Sequence, residues 1–194
     1  MSSAHTTLTI RNAALDLISE FPLTNVNDDN VYARWMNRNF QHVVQAALRQ
    51  QPWNFACQWH TLTSVDPMTF RWTYAYDLPS GWLRVLQPTV GGIRGGQPIP
   101  YEVKQNRLYA SYDAEQNVEC VMDTQAPGSW DPLFAAMIVA RLAHGMSNRF
   151  TAKSRYVEYT ANLAAQAYED AVEINTFEGS LEPTEEFTIL RVRE

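Results

Sequence analysis

A chain of 194 residues, 45% hydrophobic, is long enough to bury a core without staples, and its two cysteines, Cys57 and Cys120, read as plain thiols of a reducing compartment. A formal net charge of −6 argues against a module that grips duplex phosphates, which needs a clustered basic face. No apolar run approaches the ~20 residues of a membrane helix, and the opening MSSAHTTLTIRNAA has neither the basic start nor the apolar block of a signal peptide, so the expectation is a soluble protein made in a cytoplasm.

In chain order, Ile10, Ala14, Leu17, Ile18 and Phe21 recur at helical spacing until Pro22, which predicts a first helix over 7–20. The polar FPLTNVNDDN follows, with Asp28, Asp29 or Asn30 placed to cap a second helix. That helix carries Tyr32, Trp35, Met36, Phe40, Val43, Val44, Ala47 and Leu48 on one stripe and ends by Pro52. Between 56 and 124 the hydrophobic period changes to two. Turn signals divide this stretch into up to six short strands: CQWHTLTSV, FRWTYAYDL, WLRVLQPTV, PYEVKQ, RLYASYD and NVECVMDT. Trp72, Tyr74 and Tyr76 alternate on one strand face, and Pro79-Ser80-Gly81 predicts a hairpin that sets them against Trp82.

Helix resumes at WDPLFAAMIVARLAHGMSNRF, with Asp131 as N-cap and Pro132 at the first helical position, where a missing N–H costs nothing. Ala135, Ala136, Ala140, Ala143 and Gly145 predict a close approach by a fourth helix over 154–173, which offers Val157, Leu163, Ala164, Ala167, Tyr168 and Ala171. The fold class is therefore α+β: an antiparallel-type bundle of about four helices formed by 1–55 and 125–176, a small antiparallel β region inserted at 56–124, and an extended C-terminal tail, 177–194. The tail joins a linker-like, acidic FEGSLEPTEE to Phe187, Ile189, Leu190 and Val192, which alternate imperfectly with Thr188, Arg191 and Arg193, and reads as a segment with something to bind.

The chain offers little catalytic chemistry. His5, His42, His60 and His144 are scattered, Cys57 and His60 make half a zinc site at most, and GGIRGG lacks the Lys-Ser/Thr end of a phosphate loop. No serine sits in a nucleophile elbow, and Arg141, Arg149, Lys153 and Arg155 read as a solvated face. The expectation is no enzyme, no metal and no cofactor.

The order of signals resembles one family. LRQQPWNFA at 48–56, then YAYDLPSGWLRVL, YEVKQNRLY and WDPLFAAMIVARLAHGMSNRF, is similar to the head-to-tail adaptors of tailed bacteriophages, also called tail tubular protein A or gatekeeper-like, and found in gene transfer agents. Pro-Trp-Asn-Phe-Ala and Tyr-x-Leu-Pro-x-x-Trp-Leu-Arg carry most of the likeness, which spans about 5–175; Gly81 stands where a polar turn residue is expected. The resemblance implies a structural virion protein of the neck, assembled in the host bacterial cytoplasm. It implies a homo-oligomeric ring, a dodecamer, attached below the portal protein, meeting a tail or nozzle protein, with phage DNA passing through its channel without sequence recognition and no membrane involved. An acidic ring suits passage over grip. Trp53 and Phe55 with Trp72, Tyr74, Tyr76 and Trp82 are then expected to clamp helices to sheet, and Phe187, Ile189, Leu190, Arg191, Val192 and Arg193 to dock on the portal. The competing readings are another neck or tail ring (a stopper or tail terminator, with more sheet and less helix) and a small hydrolase.

Overall fold

A computed structural model describes residues 5–67, 71–93, 96–111, 115–150 and 154–179. They form an α+β fold of four helices and a six-stranded antiparallel sheet: α1 (Thr7–Asp16), α2 (Val31–Gln50), β1 (Cys57–Pro67), β2 (Tyr74–Asp77), β3 (Trp82–Val85), β4 (Tyr101–Lys104), β5 (Arg107–Ala110), β6 (Glu115–Met122), α3 (Pro132–Phe150) and α4 (Ser154–Gly179). The sheet interrupts the helices between α2 and α3, where the hydrophobic period changes. None of the described helices is long and apolar enough to cross a membrane.

Local chemistry sets the helix starts. Thr6 and Thr9 form a reciprocal capping box on α1. Asn30, of the three candidate caps, accepts from the Ala33 N–H at 2.8 Å and starts α2. Asp131 accepts from Leu133 N at 2.8 Å and Phe134 N at 3.3 Å, ahead of Pro132. α1 is shorter than its apolar pattern predicts: it stops at Asp16, Ser19 takes φ +59°, and Phe21 is 91% exposed. α4 is longer, running to Gly179, so the first three residues assigned to the tail are helical.

The sheet order is β3-β6-β1-β2-β5-β4. The long β1 is shared: its first half, from Cys57 to Thr63, pairs with β6, and beyond a bulge between Ser64 and Asp66 it pairs with β2. The predicted hairpin of β2 and β3 does not form, because β1 and β6 lie between them. Residues 78–81 nevertheless join the two strands across β1 and β6, and contacts between the two edges of the sheet show that it is curled. Curling brings the edges β3 and β4 toward one another. They are tied by a bridge between Thr89 and Pro98 at one end and by the Trp82 indole donating to the Asn106 side chain at the other. PYEVKQ and RLYASYD, read as consecutive strands divided by a turn signal, pair as the hairpin of β4 and β5, with Gln105 (φ +49°) and Asn106 (φ +65°) in its two-residue turn.

Two cores result. One fills the space among the helices and includes Leu15, Met36, Val44, Leu48, Trp53, Phe134, Ile138, Leu142 and Met146. The other lies inside the curled sheet: Leu62, Tyr76, Leu78, Val85, Ile99, Leu108, Ala110, Val118 and Cys120. β6 is the partition. Val118 and Cys120 point into the sheet core while Val121, one residue out of phase, points into the helical core. The Gln45 side chain donates to Asp123 at 2.8 Å and Arg49 to the Leu83 carbonyl at 2.8 Å, fixing α2 against this wall.

Candidate functional site

The six aromatics expected to act as one clamp are divided between the two cores. Trp53 is 1% exposed, donates its indole N–H to the Ala47 carbonyl at 2.9 Å and meets the Phe134 ring edge-on at 5.1 Å. Phe55 and Trp130 meet the same ring at 4.9 and 5.3 Å, and Trp130 stacks on Phe40 at 6.3 Å. This cluster of Phe40, Trp53, Phe55, Trp130 and Phe134 joins the end of α2 to the start of α3. Arg11 lies over Phe40 at 5.2 Å, and burial pushes its pKa down. Its guanidinium donates to the Val26 carbonyl at 3.1 Å and to Asn37 at 2.5 Å.

The other four aromatics belong to the sheet. Tyr76 is completely buried there, with Tyr74 beside it at 6.3 Å. Trp72 and Trp82 are half-buried at the rims, each held by its indole N–H: Trp72 donates to Glu102 at 2.9 Å, Trp82 to Asn106. They are separated from the Trp53 cluster because β1 and β6 intervene, a pairing that local periodicity cannot reveal.

Asn54, the middle residue of Pro-Trp-Asn-Phe-Ala, has a partner the sequence does not announce. Its backbone N–H donates to the Asn175 side-chain oxygen at 2.8 Å, its side-chain amide donates to the Asn175 carbonyl at 2.8 Å, and the Asn175 amide donates to the Pro52 carbonyl at 3.0 Å. Three hydrogen bonds thus pin the last turns of α4 to the end of α2. The partners are 121 and 123 residues apart, so only the folded chain shows the pair.

An apolar groove of ≈ 480 Å³ runs over α3, walled by α1 and α4. Ala13 and Leu17 line one side, Ala136 and Val139 the floor, Leu163 and Ala167 the other side; His5 and Thr9 stand at one end. Leu163 and Ala167, which the fourth helix was expected to offer to the third, line this groove, and Ala167 also packs against the helical core. Gly145, expected to admit α4, faces α2: a Cβ there would lie 2.6 Å from the Trp35 ring. α4 packs along α3 further on, where Ser147 and Thr160 share a buried hydrogen bond of 2.9 Å.

Toward its end α4 keeps apolar residues on its outer face, Ile174 at 42% and Phe177 at 69% exposure. Phe187, Ile189, Leu190, Arg191, Val192 and Arg193, the expected docking residues, lie outside the described residues.

Among the described residues no group of three or more His, Cys, Asp or Glu side chains is arranged to hold a metal ion. Cys57 and His60 sit three apart on one strand and so on opposite faces. Burial raises the Cys120 thiol to about 11, with Cys57 and Glu119 adding to the shift. Tyr32 is raised to about 12 by burial and by the Glu20 carboxylate. No protein-family model matches the chain, and no curated protein matches it.

Proposed function

We propose that this protein is a structural virion component, a head-to-tail adaptor that forms a ring below the portal, links it to the tail and leaves a channel for DNA. The observation that carries the reading is the Pro52 to Ala56 stretch, one of the two strings behind the family resemblance. It supplies the Trp53 and Phe55 rings of the aromatic cluster and the Asn54 bonds to α4. A motif so used binds three helices at the root of an inserted sheet, which is what a helical-bundle adaptor with a β insertion requires. The proportions favour an adaptor over a sheet-rich stopper or terminator: helices of 10, 20, 19 and 26 residues stand against six strands of 4 to 11.

In this reading the ring is a dodecamer, and residues 187–193 dock on the portal. Apolar Phe187, Ile189, Leu190 and Val192 add a strand to a partner edge, and Arg191 and Arg193 meet acidic groups there. Each contact is weak alone, and the ring sums them because later contacts form at high effective concentration. DNA passes a surface that carries net negative charge and offers few phosphate contacts.

The test is to mix the purified chain with isolated portal rings and measure mass by size-exclusion chromatography with light scattering. The expected result is a portal-bound ring that is lost when residues 184–194 are deleted while the helical circular dichroism signal persists. A wild-type chain that never shifts the portal, at any excess, refutes the adaptor reading.

A further inference from the structure

A second groove, of ≈ 500 Å³, lies where the start of α2 meets the end of α3. Arg34 and Arg38 line it from α2, four residues apart and so on one side of the helix, and Arg149 lines it from α3. Arg149, expected on a solvated face beside Lys153 and Arg155, is thus set by the fold with two arginines of a distant helix. Arg34 makes an exposed ion pair with Asp29 at 3.2 Å, while Arg38 and Arg149 have neither an ion pair nor a hydrogen bond among the described residues. Like charges four apart on a helix repel, so the chain alone gains nothing from the cluster. Asn37, in the same groove, accepts from the Arg11 guanidinium at 2.5 Å, which leaves its amide N–H groups as donors. Val31, 48% exposed, and Phe150 add apolar surface. The groove fits an occupant that carries several carboxylates with apolar side chains among them.

The same chain carries such a surface elsewhere. From Tyr156 to Gly179, α4 has Glu158, Glu169, Asp170, Glu173 and Glu178 and no lysine or arginine. Glu169, Asp170, Glu173, Ile174 and Phe177 are all exposed and recur at spacings of three and four, which sets them on one face. The opposite face is engaged, with Ala171 in the helical core and Asn175 pinned to Pro52 and Asn54. Among the described residues no ion pair engages these three acids. Within one chain the two surfaces do not meet. The groove lies at the start of α2, Asn175 is held just past its end, and the 20 residues between span ~30 Å. From this geometry we infer that the arginine groove of one copy receives the α4 face of a second copy, Arg34, Arg38 and Arg149 meeting Glu169, Asp170 and Glu173, with Val31 and Phe150 against Ile174 and Phe177. Each chain is acidic overall, so the basic groove is where a second acidic chain approaches without repulsion, and guanidinium forks suit carboxylates. The contact joins two different surfaces, so it repeats head to tail and closes as a ring if the rotation allows. It rests on the ring of the proposed function and names the faces through which that ring forms.

The contact is measured without any portal, so a chain that associates in this way yet never shifts a portal refutes the adaptor and leaves the contact standing. Sedimentation equilibrium at low ionic strength follows the mass of the full-length chain as its concentration rises, in the wild type, in Arg38→Glu and in Glu173→Arg; both side chains are exposed, and circular dichroism checks that the variants stay folded. The wild type is expected to associate, less so as salt is added. Each single variant should need at least about tenfold more protein to reach the same mass, because its groove and α4 face now carry like charge. The double variant R38E/E173R, and an equimolar mixture of the two single variants, should recover association, since every groove again finds an α4 face of opposite charge. A wild type that stays monomeric up to about 1 mM overturns the inference. Single variants that associate as the wild type does overturn it as well. Failure of both the double variant and the mixture to recover overturns it by showing that the two faces do not meet. A monomeric wild type that instead binds a short oligonucleotide, and loses it in R38E, overturns it by naming a phosphate backbone as the occupant.

Discussion

The helical and sheet cores of this protein use the same kinds of residue in different ways. Among the helices, Trp53 is enclosed on every side and Phe134 gathers three ring edges. In the sheet, Tyr76 alone is enclosed among the described large aromatics, while Trp72 and Trp82 lie half-buried at the rims and are fixed by their indole N–H groups. The difference follows from shape. Three helices packed around α3 leave a deep interior, whereas a small curled sheet has room inside for few large side chains, and the rest cover its ends with their polar tips turned to partners. A tryptophan is therefore a stability anchor in one region and a rim closure in the other.

The widest separation between the two is expected at Trp53. Trp53→Ala should lower unfolding stability by about 3–5 kcal/mol, since it empties a full aromatic site and leaves the Ala47 carbonyl without its donor. Chemical denaturation checks it, and a loss below that of Trp82→Ala would break the comparison. Gly92→Ala is the sheet region's most damaging single change, at about 2–4 kcal/mol: the glycine has φ +66°, and a Cβ would come within 2.9 Å of the Asn117 backbone oxygen, which has nowhere to yield. Thermal melts report this, and it should appear without disturbance of the helical signal if the partition at β6 insulates the cores.

Trp82→Ala should cost about 1–2 kcal/mol, well below the loss expected at Trp53, because its ring is half-buried. Asn175→Ala should cost about 1 kcal/mol globally, since its bonds lie near solvent, yet free the end of α4 locally. Hydrogen exchange of residues near 175–179 sharpens this by showing fraying that the global melt hides.

The smallest effects are in pH. The neutral Cys120 thiol is favoured in the fold, while the unfolded chain releases its proton from about 9, so this stability is present below 9 and is lost as pH rises toward about 11. Tyr32, on the helical side, gives the same sign over a higher window, from about 10 to about 12. Denaturation midpoints measured from pH 8 upward should fall, and Cys120→Ala should flatten the lower part of that fall while Tyr32→Phe flattens the upper part.

The sequence by itself determined the element types and their order. Hydrophobic period separates helix from strand locally, and Asn30, Asp131 and Pro132 mark helix starts through bonds that reach only two or three residues. The Gln105-Asn106 turn is likewise a local event, and so the hairpin of β4 and β5 was legible. What only the tertiary structure decided were the contacts between distant residues. β2 and β3 look like a hairpin across Pro79-Ser80-Gly81, yet β1 and β6 intrude, because strand choice depends on which faces can be buried together. Asn54 meets Asn175 across 121 residues, and Gly145 meets Trp35 of α2 in place of α4. The groove over α3 belongs to the same class: Ala13, Ala136 and Leu163, which line it, come from three helices far apart in the chain. Local signals set what each segment becomes, and burial, which is shared among all segments at once, sets where each one goes.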